Sequence, residues 1–193
     1  ANDNSAEPQE IDDYENWLFE RYGDDWASCV YFYLDQTQSS LPEIAPLVDR
    51  VQQGMIAMQL CSPTQRMHIG IALEEALLNA LYHGNLELPA EKLADVRKLL
   101  HDGQESELVD ERRQLEPYCN RKSHVAADFT RKRAQFVVGD EGSGFDVKEH
   151  VHGTTAETME EETGRGLVLM QTFMDEVLFN DAGNEMRMTL RDL

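Results

Sequence analysis

The sequence predicts an α+β protein, a two-layer α/β sandwich in which a mixed, mostly antiparallel sheet is covered on one face by helices. Three observations point there. Wound as a helix, Met67 to Gly84 is apolar nearly all round, with Ile69, Ala72, Leu73, Ala76, Leu77, Leu78, Ala80 and Leu81 on every face, which marks a buried helix. Between Ser123 and Gly139 the apolar residues change to the period of strands. The chain closes on two β-rich runs, Glu176 to Asn180 and Glu185 to Arg191, joined by Asp181-Ala182-Gly183-Asn184 as in a hairpin.

In order, residues 1–27 hold nine acids and one Arg. Ile11, Tyr14, Leu18 and Tyr22 make a weak amphipathic pattern, and Trp17, Phe19 and Trp26 favour docking on the body. A linker from an upstream domain is the competing reading of this acidic extension, with 28–193 as the domain proper. Cys29 to Leu34 reads as a strand. Ser40-Leu41-Pro42-Glu43 places a capping Ser three residues before Glu, so a helix follows to about Leu60. Ser62-Pro63-Thr64-Gln65 repeats the signal and starts the central helix, which His83-Gly84-Asn85 ends with a glycine stop. Two surface helices, Pro89 to Leu100 and Glu105 to Leu115, fill residues 87–117 around Asp102-Gly103, with Pro117 closing the second. Strands at Ser123 to Phe129 and Ala134 to Gly139 flank the basic turn Thr130-Arg131-Lys132-Arg133, read as solvated. Asp140 to Phe145 is a glycine-rich turn. Val147 to Thr163 is polar and aperiodic, and a loop of that length is usually functional or mobile. Gly164 to Asp175 reads as the last helix.

Composition narrows the function. The formal charge is −20, with 17 Lys and Arg against 37 Asp and Glu, which argues against phosphate-backbone or anionic-membrane binding. No apolar run reaches the ~18 residues of a membrane span, and the start lacks a signal-peptide pattern, so a cytoplasmic location is expected. Cys29, Cys61 and Cys119 are odd in number and widely spaced, which suggests neither a disulfide framework nor a zinc site. Met55, Met58, Met67, Met170 and Met174 are expected in the core.

Three stretches carry chemistry. Steps of four along the central helix align Glu75, Asn79 and His83. Buried polar groups of this kind either satisfy one another or line a cavity for a ligand. After the strand ending at Gly139 come Asp140, Gly142 and Gly144, a plain turn or a place where backbone passes close to a ligand. A dinucleotide fingerprint fails there because its third glycine would fall at Val147, and no G-x-x-x-x-G-K-[ST] occurs. Gly164-Arg165-Gly166-Leu167 opens the last helix, where backbone N–H groups and Arg165 favour an anion such as phosphate.

Together, Glu75-x-x-x-Asn79, Asp140-x-Gly142-x-Gly144-Phe145 and Gly164-x-Gly166-Leu167, with a long polar loop before the last, resemble the GHKL ATPase superfamily. Within it the run from Glu75 to Gly84, the Gly164 to Leu169 pattern and Met174 to Val177 look most like the bacterial anti-sigma-factor serine/threonine kinases. The resemblance covers residues 30–193 and implies a Bergerat-type ATP-binding fold with ATP and Mg²⁺ as cofactors. It implies Glu75 as general base, Asn79 as Mg²⁺ ligand and Asp140 as acceptor from the adenine amino group. Gly142 and Gly144 would pass beside the nucleotide, and residues 147–163 would form a lid. Gly164, Arg165, Gly166 and Leu167 would complete the phosphate end. Glu74, turned about 100° from Glu75, and His83 are read as structural, and His150 and His152 as solvated. The 87–117 helices lengthen the connection relative to the smallest members, as an insertion that could form a partner surface. Glu157, Glu160, Glu161 and Glu162 make the lid unusually acidic.

The resemblance implies an ATP-dependent protein serine/threonine kinase, an anti-sigma factor that phosphorylates an anti-anti-sigma-like protein and binds a sigma factor, with a homodimer suggested by related kinases. A nucleotide-gated module that sequesters a regulator without turnover is the alternative. The ATP-binding domain of a two-component histidine kinase is a third reading, which needs a phosphoacceptor His that the first ~30 residues do not supply.

Overall fold

A computed structural model describes residues 28–35, 41–57, 59–102, 104, 106–130, 132–147, 162–191 and 193. The acidic 1–27 segment and nearly all of the expected lid, 148–161, including His150 and His152, lie outside the described residues.

Five strands form one sheet: β1 (Ser28–Asp35), β2 (Lys122–Phe129), β3 (Arg133–Gly139), β4 (Glu176–Phe179) and β5 (Glu185–Arg191), in the order β1-β2-β3-β5-β4. All pairings are antiparallel. The register aligns the apolar residues of one face, Val125 opposite Val138 and Ala127 opposite Phe136, then Phe136 opposite Met188 and Val138 opposite Met186. These side chains are buried, whereas alternate residues such as Ala126, Gln135 and Val137 are half-exposed. One face of the sheet is therefore core and the other meets solvent, the pattern of a two-layer sandwich.

The helices are α1 (Leu41–Ala57), α2 (Pro63–Leu78), α3 (Ala90–His101), α4 (Glu107–Gln114) and α5 (Glu162–Phe173). α1 turns Ile44, Leu47, Val48, Val51 and Met55 inward at helical spacing. α2 is the centre of the layer, packed between α1 and α5 and over β3. Its start is the expected capping box: Ser62 Oγ accepts from the Gln65 N–H at 3.2 Å, and Gln65 Oε1 accepts from the Ser62 N–H at 2.9 Å.

Its end differs from expectation. From Asn79 to Asn85 the chain winds as a π-helix, and Gly84 is not a left-handed stop. The left-handed residue is Glu87, with φ 47°. Met67 also departs from the expected core, at 55 % exposed, while Met55, Met170 and Met174 are buried and Met58 lies outside the described residues. α5 begins at Glu162, two residues before the expected Gly164, so both glycines lie inside its first turns. No helix among the described residues is long and apolar enough to cross a membrane.

Candidate functional site

Glu75 and Asn79 stand one turn apart on α2, half-buried on the side where α5 crosses, while Glu74 faces solvent. Gly166 of α5 makes the crossing possible. A Cβ there would come 2.5 Å from Glu75 Oε2 and 3.7 Å from Asn79 Nδ2. A side chain there would displace the Glu75 carboxylate from its place beside Asn79. Arg165, next to it, is exposed and makes no hydrogen bond or ion pair among the described residues; Leu167 anchors the turn by packing on the core.

A fourth residue completes this end. Arg97 reaches down from α3, its Nη1 donating to Glu75 Oε2 at 2.8 Å and its Nη2 to Asn79 Oδ1 at 3.2 Å. With the Arg97 and Glu75 side chains 22 % and 16 % exposed, the pair is too sheltered to be an ordinary surface ion pair. The sequence reading missed Arg97. Leu93 and Val96 are the buried stripe of α3, and position 97, four after Leu93, falls on that stripe's edge. A guanidinium there is the one signal that could have flagged it.

The other end is built on the turn after β3. The Asp140 N–H donates to the Asn184 carbonyl at 2.9 Å, which fixes the turn to the β4–β5 hairpin. Asp140 Oδ1 accepts from the Gly142 N–H at 2.8 Å. Oδ2 has no donor among the described residues, so one acceptor remains for a ligand. Burial pushes the carboxyl up to about 6, against the Gly142 N–H bond and the Arg121 charge, which pull it down, and with Glu87 pushing the same way as burial. Gly84 lies against this carboxyl, where a Cβ would run into it. Its role is to make room, rather than to stop the helix.

Around Asp140 the turn is braced. Asn85, fully buried, accepts from the Glu141 N–H at 2.9 Å and donates to Ser123 Oγ at 2.8 Å. Glu87 Oε1 accepts from the Ser143 N–H at 3.3 Å and pairs with Arg121 at 3.0 Å. Gly144 has φ +72° and its α-carbon faces the Ala182 carbonyl so closely that no side chain fits. Phe145 packs edge-on against Phe179, with centroids 5.1 Å apart.

The expected site residues thus fall into two groups. Glu75, Asn79, Gly166 and Arg97 form one, and Asp140, Gly142 and Gly144 the other, connected by the π-helix from Asn79 to Asn85. The donor set suits Mg²⁺ only with help. Asn79 Oδ1 and the Glu75 carboxylate are hard oxygen ligands, and no cluster of three His, Cys, Asp or Glu that could hold a metal occurs among the described residues. A cation here would rest on one or two protein oxygens plus substrate phosphates and waters, the usual habit of Mg²⁺. Asp140, with an open Oδ2 beside two glycines, fits an amino-bearing base.

A model of the family described as the histidine kinase-like ATPase domain matches residues 38–190. A search among curated proteins returned no match.

Proposed function

The chain belongs to the histidine kinase-like ATPase domain family, and from that premise we propose that it is an ATP-dependent protein serine/threonine kinase, an anti-sigma factor that works by partner switching. Its substrate is a small anti-anti-sigma-like protein and its sequestered partner a sigma factor. The observation that carries the reading is the carboxylate of Glu75 set one turn before the amide of Asn79, with Gly166 leaving backbone beside both. A module that only bound nucleotide would not need a carboxylate at position 75.

Asp140 Oδ2 accepts from the adenine amino group, and Gly142 and Gly144 let the turn run alongside the base. Asn79 Oδ1 would hold Mg²⁺, which would supply neutralisation of phosphate charge when bound. The Gly164 N–H, still open in the first turn of α5, faces the phosphates, Gly166 leaves room for them beside the backbone, and Arg165 adds a positive charge. Glu75 takes the proton of the substrate hydroxyl as that oxygen bonds to the γ-phosphorus. The bond from the γ-phosphorus to the β–γ bridging oxygen breaks, its electron pair leaves with ADP, and Glu75 returns the proton to solvent. Most of the rate comes from positioning and charge.

Incubation with labelled Mg-ATP and a small candidate partner is expected to label a Ser or Thr of that partner. Glu75→Ala should lower transfer by 10²-fold or more while a fluorescent ATP analogue still binds. Binding without transfer in the native protein would instead make it the nucleotide-gated module.

A further inference from the structure

Arg97 is used by nothing in the reaction above, yet it holds both residues the reaction depends on. Its two nitrogens form a fork, one prong on Glu75 Oε2 at 2.8 Å and one on Asn79 Oδ1 at 3.2 Å. A planar guanidinium spans a carboxylate and an amide in this way, and an ammonium cannot. The prongs fall on the very atoms assigned to the base and to the metal. Asn79 Oδ1 cannot accept from a cationic N–H and ligate Mg²⁺ without placing two like charges around one oxygen. Glu75 Oε2, likewise, gives one of its acceptor directions to Arg97.

We propose that Arg97 is a positioning residue that acts as a latch: it fixes Glu75 and Asn79 relative to each other, and its prong on Asn79 must be released before Mg-ATP is held. The inference rests on the nucleotide reading above and adds that α3 sets how readily the metal is taken. The latch has a handle. Arg97 sits one residue after Val96 and four after Leu93, both buried, so the guanidinium cannot leave Asn79 far behind without a change in side-chain rotamer or a shift of α3 itself. α3 in turn packs against α5, the helix carrying Gly166, so release at Asn79 is felt at the glycine that faces the phosphates. A latch engaged about nine-tenths of the time weakens apparent Mg-ATP affinity about tenfold, because only the released fraction is competent.

The test is equilibrium binding of a fluorescent ATP analogue, titrated with Mg²⁺, for the wild type, Arg97→Met and Arg97→Lys. Met keeps the apolar stem and loses the fork; Lys keeps the charge and loses one prong. For Arg97→Met the half-saturating Mg²⁺ concentration should fall by roughly five- to tenfold, while analogue binding in chelator changes less than about twofold. Arg97→Lys should lie between. A second readout is independent of nucleotide: both variants should melt below the wild type, since each leaves Glu75 and Asn79 without the fork. An unchanged Mg²⁺ requirement in a folded Arg97→Met overturns the latch, and a raised one does so by making Arg97 a phosphate ligand. If Arg97→Met does not fold, Arg97→Lys decides alone on the same Mg²⁺ shift. Wild-type protein that binds no analogue at any Mg²⁺ concentration overturns the nucleotide reading itself, a result distinct from bound analogue with an unshifted Mg²⁺ requirement.

Discussion

Asp140 shows how one residue trades stability for recognition. Burial raises its carboxyl to about 6 from an ordinary 3.8, so the folded chain holds a proton there more tightly than the unfolded chain. The sign follows. Stability falls as pH rises from about 4 to about 6, and above that window the loss is complete and no longer changes with pH. On the function proposed above, the buried carboxylate offers the adenine amino donor an acceptor, Oδ2, when it is ionised. Affinity for the ATP analogue should therefore be flat above pH 7 and fall as pH drops through about 6, approaching tenfold per unit below it. Asp140→Asn keeps an acceptor oxygen and cannot titrate. It should bind the analogue more weakly at pH 7.5 and lose the midpoint near 6. A midpoint retained in Asp140→Asn would assign the titration to another group.

At the scale of the element, the segment from Asn79 to Asn85 governs the site, because its π-helical winding connects the Glu75 end to the Asp140 end. Such turns are uncommon and concentrate at functional positions. Tyr82 lies within it, 1 % exposed, and its hydroxyl has no hydrogen-bond partner among the described residues. Burial pushes that phenol up, against the pull of the Arg113 and Arg97 charges. Removing the hydroxyl removes an unmet polar group and leaves the ring's packing, so Tyr82→Phe should be neutral or stabilising by about 1 kcal/mol in a denaturant melt. A clear loss of stability would mean that the hydroxyl has a partner. This element also shows what the sequence could reveal. Ser62 with Gln65 announces the start of α2, since a capping box is local chemistry four residues long. Glu75 and Asn79 are legible because an apolar helix makes polar residues conspicuous. The π-turn is not, because residues apolar on every face suit i→i+4 and i→i+5 winding alike. A glycine after a helix suggests a stop, whereas the reason for Gly84 is the Asp140 carboxyl, 56 residues away in sequence. The place of Arg97 on the edge of the α3 stripe is legible, but its partners are not, for the same cause: they lie 22 and 18 residues back along the chain, and only packing of α3 brings them together.

For the whole molecule the governing quantity is charge. Thirty-seven acids against 17 bases leave −20 on one chain, and charges of one sign repel in the compact state. Opposing this are a handful of ion pairs among the described residues, of which Arg97–Glu75 and Arg121–Glu87 are sheltered and Arg133–Asp128 and Arg191–Glu176 lie more open to solvent. Salt weakens both terms, but unequally. Open pairs contribute ~0–1 kcal/mol each and are screened along with the rest, sheltered pairs are screened less, and the repulsion sums over every unpaired acid. Raising NaCl from low concentration to about 0.5 M, where the Debye length drops below ~5 Å, should therefore stabilise the nucleotide-free protein. Each kcal/mol so gained raises Tm by roughly 2–4 °C for a chain of this size. Sodium acts on the whole surface, whereas Mg²⁺, on the function proposed above, acts there and at Asn79. A Tm series in NaCl at fixed low Mg²⁺, repeated with Asn79→Ala, separates the two: the salt response should be the same in both proteins, and the extra gain from Mg-ATP should vanish only in the variant. A falling Tm with NaCl would show that attraction within the ion pairs outweighs the repulsion, and that the acidic surplus is dispersed too widely to strain the fold.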